Sequence, residues 1–374
     1  MGCSPALFGG LAALIDGTTV PWTSLEATPA ELMDACDEEG LAGLLHHHLG
    51  LGAGPDWPET VREEIASRAC AAAAEELLRQ SETIATLTAL GSAGVPLVIL
   101  KGTALAYTVY TVPSCRPRVD TDLMIPRALV GRASRVMEDL GYTASVNSGG
   151  ERLFAQFQFW REDAYGVQHA FDFHWKISTQ PMFADVLTPE ELAAESVPVA
   201  ALGPYARAAG HVHALVLACI HPAMHHRNAE HLTWMSDIRL LASGLSEADF
   251  DRLAALALAR EVAAVCVHEL LRARSRFTFN LPPRVVTALA AVTDEPSAAY
   301  LRQSRRWLDE LMSSIQSLPR LRDRVGLLRE VAFPRPAYVL AAYGMASWFG
   351  TALLPALYVH RILKGMQKIA FGTK

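Results

Sequence analysis

The chain has 374 residues, 51% hydrophobic and 19% charged, with a formal net charge of −6 and a pI near 6.1. Such a composition excludes a disordered chain, and the length supports two or three units with ample buried core. The acidic balance excludes a general nucleic-acid coat, which needs a basic surface, yet leaves room for one bound nucleotide or a local RNA contact.

Six scattered cysteines (Cys3, Cys36, Cys70, Cys115, Cys219, Cys266) form no C-x-x-C pair. They suit reduced thiols in the cytoplasm. The first residues lack the basic region of a secretory signal. Up to Gly91 the pattern is helical. Thr28-Pro29-Ala30-Glu31 predicts a helix start, with Thr28 as cap, Pro29 in the first turn and Glu31 reaching back; Gly40 stops it after Glu39. His46-His47-His48 point three ways around a helix and so form no single ligand set. Pro55 to Pro58 marks a loop. Glu59 to Leu90 then reads as one long helix ending at Gly91.

The centre of the chain runs LVILKGTALAYTVYTVPSCRPRVDTDLMI from Leu97 to Ile125. Val95–Leu100 predicts a short strand buried on both faces, ending abruptly at Lys101-Gly102-Thr103. A glycine there lets backbone N–H groups approach an anion, and the helix that follows adds its positive N-terminus. Val119–Ile125 predicts a second strand. Alternation along it sends Asp120 and Asp122 to one face and Thr121 and Leu123 to the other. Taken alone, D-x-D suits a solvated edge as well as a metal site. Two close carboxylates repel each other, however, and a divalent cation is an economical compensation. Repulsion also implies that Asn at Asp120 or at Asp122 leaves the metal-free fold intact or more stable.

Pro126 begins a predicted helix that runs to Leu140, with Gly141 as its terminator. Arg152–Trp160 alternates, with Leu153, Ala155, Phe157 and Phe159 on one face and Gln156 and Gln158 on the other. Gln168–Lys176 alternates too, after a turn near Asp163–Gly166, and places Asp172, His174 and Lys176 on its polar face. These segments predict a strand–turn–strand unit. The expected fold is α+β: a small mixed sheet with helices packed on one side of it.

Leu100-Lys101-Gly102, Arg116, Asp120-x-Asp122 and the later Asp172 in FDFHW together resemble the nucleotidyltransferase superfamily typified by DNA polymerase beta. Within it they are similar to an uncharacterised bacterial family whose motif reads LKG…Y…R…D-x-D. The resemblance covers Val95 to Trp175 well and His213–Asp237 more loosely; the superfamily's usual Gly-Ser is Gly-Thr here, which keeps the hydroxyl. It implies that Asp120, Asp122 and Asp172 hold Mg²⁺ (or Mn²⁺) and carry the catalysis. Lys101, Gly102, Thr103 and Arg116 are then the nucleotide-binding residues, with Arg118 divided between phosphate contact and structural counter-ion. The implied activity is transfer of a nucleoside monophosphate from an NTP to a hydroxyl or phosphate on a small molecule, peptide, protein or RNA end. The alternatives are a relative that binds nucleotide or a partner without turnover, and a membrane-associated tailoring enzyme.

Beyond the core, 181–203 reads as a connector carrying a short helix. Tyr205–Leu241 reads as helical, with His211, His213, His221, His225, His226 and His231. His221 and His225 share a helix face, but Pro222 lies between them and opens a new helix in this reading; packing or a cleft lining is favoured over a zinc site. Asp237 is left between a polar packing contact and a cleft residue. Asp249–Arg276 gives one or two helices, broken at Asn280-Leu281-Pro282-Pro283. Residues 302–335 are arginine-rich, which favours a solvated surface over an acceptor contact. Ala337–Val359 carries no charge and precedes His360, Arg361, Lys364 and Lys368. A soluble or peripheral segment touching a membrane through 337–368 is favoured there over a spanning one. The expected organisation is an N-terminal helical region (1–91), a catalytic core (92–180), a helical domain (181–280) and a C-terminal helical region (281–374).

Overall fold

The computed structural model describes residues 4–145, 155–292, 295–302, 311–312, 314–316, 318, 320–345 and 347–371. Four helices lead in: α1 (Pro5–Ile15), α2 (Pro29–Glu39), α3 (Ala42–Gly50) and α4 (Glu59–Ser92). The expected capping box opens α2, with Thr28 and Glu31 exchanging hydrogen bonds, and Gly40 closes it in the left-handed conformation. At 34 residues, α4 is about 50 Å long and backs the sheet.

The core elements follow as β1 (Val98–Leu100), α5 (Lys101–Thr108), β2 (Asp120–Met124), α6 (Val130–Asp139), β3 (Thr143–Ala144), β4 (Gln156–Glu162) and β5 (Gln168–His174). The expected strand start at Arg152–Phe154 lies outside the described residues. Pro126 precedes a short 3₁₀ turn, Arg127–Leu129, and α6 begins only after it. Next come α7 (Pro181–Ala184), α8 (Pro189–Ala194), β6 (Val197–Pro198) and β7 (Arg207–Ala208). The seven strands form one mixed sheet in the order β3-β4-β5-β2-β1-β7-β6, so the sheet takes its last two strands from beyond residue 180. β2 lies antiparallel to β1 and parallel to β5.

Helices α9 (His211–His225), α10 (Leu232–Ser243), α11 (Glu247–Ala259), α12 (Ala263–Arg276) and α13 (Pro283–Ala290) pack together after the sheet. The stretch from Tyr205 is therefore not helical throughout: Arg207–Ala208 is a strand on β1, and the helix breaks between His225 and Leu232. Pro222 sits inside α9 and begins no new helix. The break comes later, where Arg227 and Asn228 take positive φ of 49° and 62°.

Two cores lie on opposite faces of the sheet, so helices cover both sides and not the one side expected. Ile99, Leu123, Phe171 and Phe173 pack under Leu87 and Leu90 of α4 and Ala133 and Met137 of α6. Val98, Leu100 and Met124, on the other face, join a larger core with α1–α3 and α9–α13. Asp120 and Asp122 share this second face by strand alternation.

The chain ends in α14 (Leu321–Ala332), α15 (Pro336–Ala342) and α16 (Ser347–Phe371). The uncharged stretch 337–359 is thus divided at a turn where Gly344 has φ +64°. Among the described residues no helix is long and apolar enough to cross a membrane.

Candidate active site

Strand register assembles the site. In the parallel β2–β5 pair, Asp120 lies beside Ala170, Asp122 beside Asp172 and Met124 beside His174. Neighbours in register point to the same face, so Asp122, Asp172 and His174 converge although fifty residues separate the strands. β1 flanks them on one side, with Leu100 opposite Asp122, and β4 on the other, with Gln158 opposite Asp172.

Lys101 turns the chain from β1 into α5 with φ +51°, a left-handed conformation that a lysine rarely adopts. From there its Nζ donates to Asp122 Oδ1 at 2.7 Å. His174 Nε2 lies 2.7 Å from the same oxygen, and His174 Nδ1 is buried with no partner among the described residues. Asp172 accepts from Gln158 Nε2 at 2.8 Å and from Gln156 Nε2 at 3.3 Å. Asp122 and Asp172 are 5% and 8% exposed, so both carboxylates are held in a poorly solvated place.

The charges do not balance. Burial and the charges of Asp122 and Asp172 push Asp120 up to about 7, against the pull of Lys101 and Arg118. Asp172 is raised as well, by burial and then by Asp122. Asp122 behaves oppositely: burial alone would raise it, but Lys101 and His174 hold it well below the usual carboxylate range. Burial disfavours the Lys101 ammonium, yet the surrounding aspartates lift it above its ordinary value. The expectation that Asn at either Asp120 or Asp122 relieves strain therefore divides. Asp120 is the crowded carboxylate; Asp122 is the paired one.

A divalent cation fits this donor set. Among the described residues, Asp122, Asp172 and His174 form a group of three whose ligand atoms all lie within 4.8 Å of one another. The neighbouring Asp120 carries the excess charge that a cation relieves. His174 was not singled out in the sequence. Its signal was its position two residues after Asp172 on the same strand face, which reads equally well as a core histidine.

The other expected residues take separate places. Gly102 opens α5 beneath Arg116, whose Nη1 would lie 3.4 Å from a Cβ at that position. Arg116 is held by Asp237 of α10, with Nε at 2.8 and 2.9 Å from the two carboxylate oxygens. Tyr110 donates to the same carboxylate at 2.8 Å. Asp237 is thus a buried packing partner that also fixes a cleft arginine. Thr103 turns its hydroxyl away from the carboxylates, donating to the Asp120 carbonyl at 3.2 Å. Arg118 lies on the opposite face of β2, paired with Glu76 of α4 at 3.0 Å and 3% exposed. Lys101, Gly102, Arg116 and Asp237 line one cavity with His221 and Trp234.

Residues 26–278, more than half of the chain, match the family model described as uncharacterised nucleotidyltransferase. The chain belongs to this nucleotidyltransferase family. No curated protein matches it. Family membership implies an NTP substrate, and the buried Asp122–Asp172–His174 group is compatible with the divalent metal typical of nucleotidyltransferases.

Proposed function

We propose that the protein moves a nucleoside monophosphate from an NTP to a hydroxyl or phosphate of an acceptor, with Asp120, Asp122 and Asp172 holding Mg²⁺ or Mn²⁺. One observation carries the reading: three carboxylates converge on one sheet face with a single ammonium among them, beside the N-terminus of α5. A purely structural cluster has no reason to keep that uncompensated charge.

The bound cation would neutralise phosphate charge and polarise the α-phosphorus towards attack. The chain's own groups do the positioning. The first N–H groups of α5, at Gly102 and Thr103, have no partner within their helix and face incoming phosphates. Thr103 contributes through its backbone, since its hydroxyl is engaged by Asp120. Lys101 and Arg116 supply positive charge, and Asp237 keeps the Arg116 fork in place. Asp172 Oδ2, less tightly held than Oδ1, takes the proton from the acceptor. The acceptor oxygen then bonds to the α-phosphorus, and pyrophosphate leaves with the electrons of the broken P–O bond.

Pyrophosphate release from labelled ATP, GTP, CTP and UTP, with cell extract as the acceptor pool, tests this reading. Release that needs Mg²⁺ and disappears in Asp120→Asn is expected. Release that persists in Asp120→Asn would sink the assignment of the carboxylates.

A further inference from the structure

The last three helices lie beyond residue 278, where the family match ends, and carry a surface that the transfer chemistry does not use. On α16 the inner side is engaged. Tyr358 donates to the Pro334 carbonyl at 2.6 Å, and the Arg361 guanidinium lies 5.7 Å from the ring centre of Tyr338 on α15. The outer side is apolar. Ala352, Ala356, Val359 and Leu363 are all exposed, and their spacing of four, three and four residues makes one row along the helix. Val359 and Leu363 are each 57% exposed. A helix on the surface of a globular protein ordinarily turns such a row inwards. Lys364 flanks the row and is itself exposed.

The same pattern recurs on α14. Leu321, Val325 and Leu328 follow one another at helical spacing and are 74%, 56% and 45% exposed. Arg322 and Arg329 are exposed beside this row, whereas the helical repeat puts Asp323 and Glu330 on the far side. From Val331 to Lys374 the sequence holds Arg335, Arg361, Lys364, Lys368 and Lys374 and no Asp or Glu, within a chain whose net charge is −6. Both helices therefore expose an aliphatic row with positive charge beside it, in a part of the sequence from which acids are nearly absent.

We propose that α14 and α16 dock on an anionic lipid surface, with their exposed aliphatic rows entering the boundary between headgroups and acyl chains. Such a surface complements both features at once: it takes up the aliphatic side chains while arginine and lysine stay with the lipid phosphates. A second copy of the chain would bring like positive charges together. A nucleic acid would meet the charges and leave the aliphatic rows in water. Docking in the interface needs no spanning segment, and among the described residues no helix is long and apolar enough to be one. The proposal stands apart from nucleotidyl transfer and uses none of its residues.

Flotation of the full chain tests it, with vesicles of phosphatidylcholine alone and of phosphatidylcholine and phosphatidylglycerol in equal parts. Wild type should float with the mixed vesicles, stay behind with the neutral ones and be released by salt. Val359→Gln/Leu363→Gln should weaken binding about tenfold for each side chain replaced. Arg322→Gln/Arg329→Gln should weaken it about fivefold for each charge removed. All four positions are exposed, and thermal denaturation checks that both variants keep the fold. Wild type that ignores the mixed vesicles, or that floats equally with neutral ones, overturns the proposal; so does either variant that binds as wild type does. Sedimentation without lipid gives a further test: concentration-dependent association that is lost in Val359→Gln/Leu363→Gln overturns it in favour of a second copy. Polyuridylate binding that falls in the arginine variant alone, without vesicle binding, overturns it in favour of nucleic acid. No arm measures nucleotide turnover, so each of these results leaves the transfer reading untouched.

Discussion

The two faces of β2 carry charged groups in opposite states of balance. Behind the strand, Arg118 meets Glu76 at 3.0 Å and donates to the hydroxyls of Thr121 and Thr103 at 2.7 and 3.3 Å. Tyr107 completes the group by donating to Glu76 at 2.6 Å. One positive and one negative charge cancel there, and their partners all come from the chain. In front of the strand, Asp120, Asp122 and Asp172 share the single ammonium of Lys101, and Asp120 is pushed up to about 7. Both groups are buried, so burial does not separate a site from a fastening. Imbalance does, because uncompensated charge is relieved only by something the chain does not itself supply.

Breaking the balanced group should have the largest effect. Glu76→Ala leaves Arg118 buried and unpaired, which costs roughly 3–5 kcal/mol; urea denaturation measures it. A loss below 1 kcal/mol would mean that water reaches Arg118 and that the two faces do not differ in this way. Asp122→Asn comes next. It leaves Lys101 and His174 without their shared carboxylate and should destabilise the metal-free protein by about 3 kcal/mol. A gain in its melting temperature would refute the division of roles between Asp122 and Asp120.

Asp120→Asn should shift stability in the other direction. A carboxyl whose folded pKa is raised from 3.8 to about 7 binds more protons folded than unfolded between those values. Wild-type stability without metal therefore falls as pH rises through that window. Asp120→Asn removes the fall and should be more stable than wild type by up to about 4 kcal/mol at pH 8, with no difference below pH 4. Thermal scans in chelator across that range check the sign, and added Mg²⁺ should raise the wild-type curve more than the variant's. The smallest effect is expected at the hinge between the faces. Thr103→Val removes the long hydroxyl bonds to the Asp120 carbonyl and from Arg118 and should cost about 1 kcal/mol. Tripolyphosphate binding should be unchanged, because the backbone N–H is retained.

Much of this architecture was legible locally. The capping box at Thr28–Glu31, the long helix from Glu59 and the strands around Asp120–Met124 and Gln168–His174 follow from spacing and alternation, and all are present. The helix expected from Tyr205 was not, because Arg207–Ala208 is recruited as a strand by β1 and periodicity over so few residues carries little information. Arg118 looked as able to serve a phosphate as to pair within the protein. Its answer lay 42 residues earlier, at Glu76 in the middle of α4.

What the sequence determined by itself was which residues share a face: Asp120 with Asp122, and Asp172 with His174. That follows from the two-residue period of a strand, a local property of the backbone. Only the tertiary structure decided that β2 and β5 lie parallel with Asp122 beside Asp172, and that Lys101 reaches one aspartate and leaves another crowded. Register and partner choice depend on how two cores close over opposite faces of the sheet, and no local pattern encodes that.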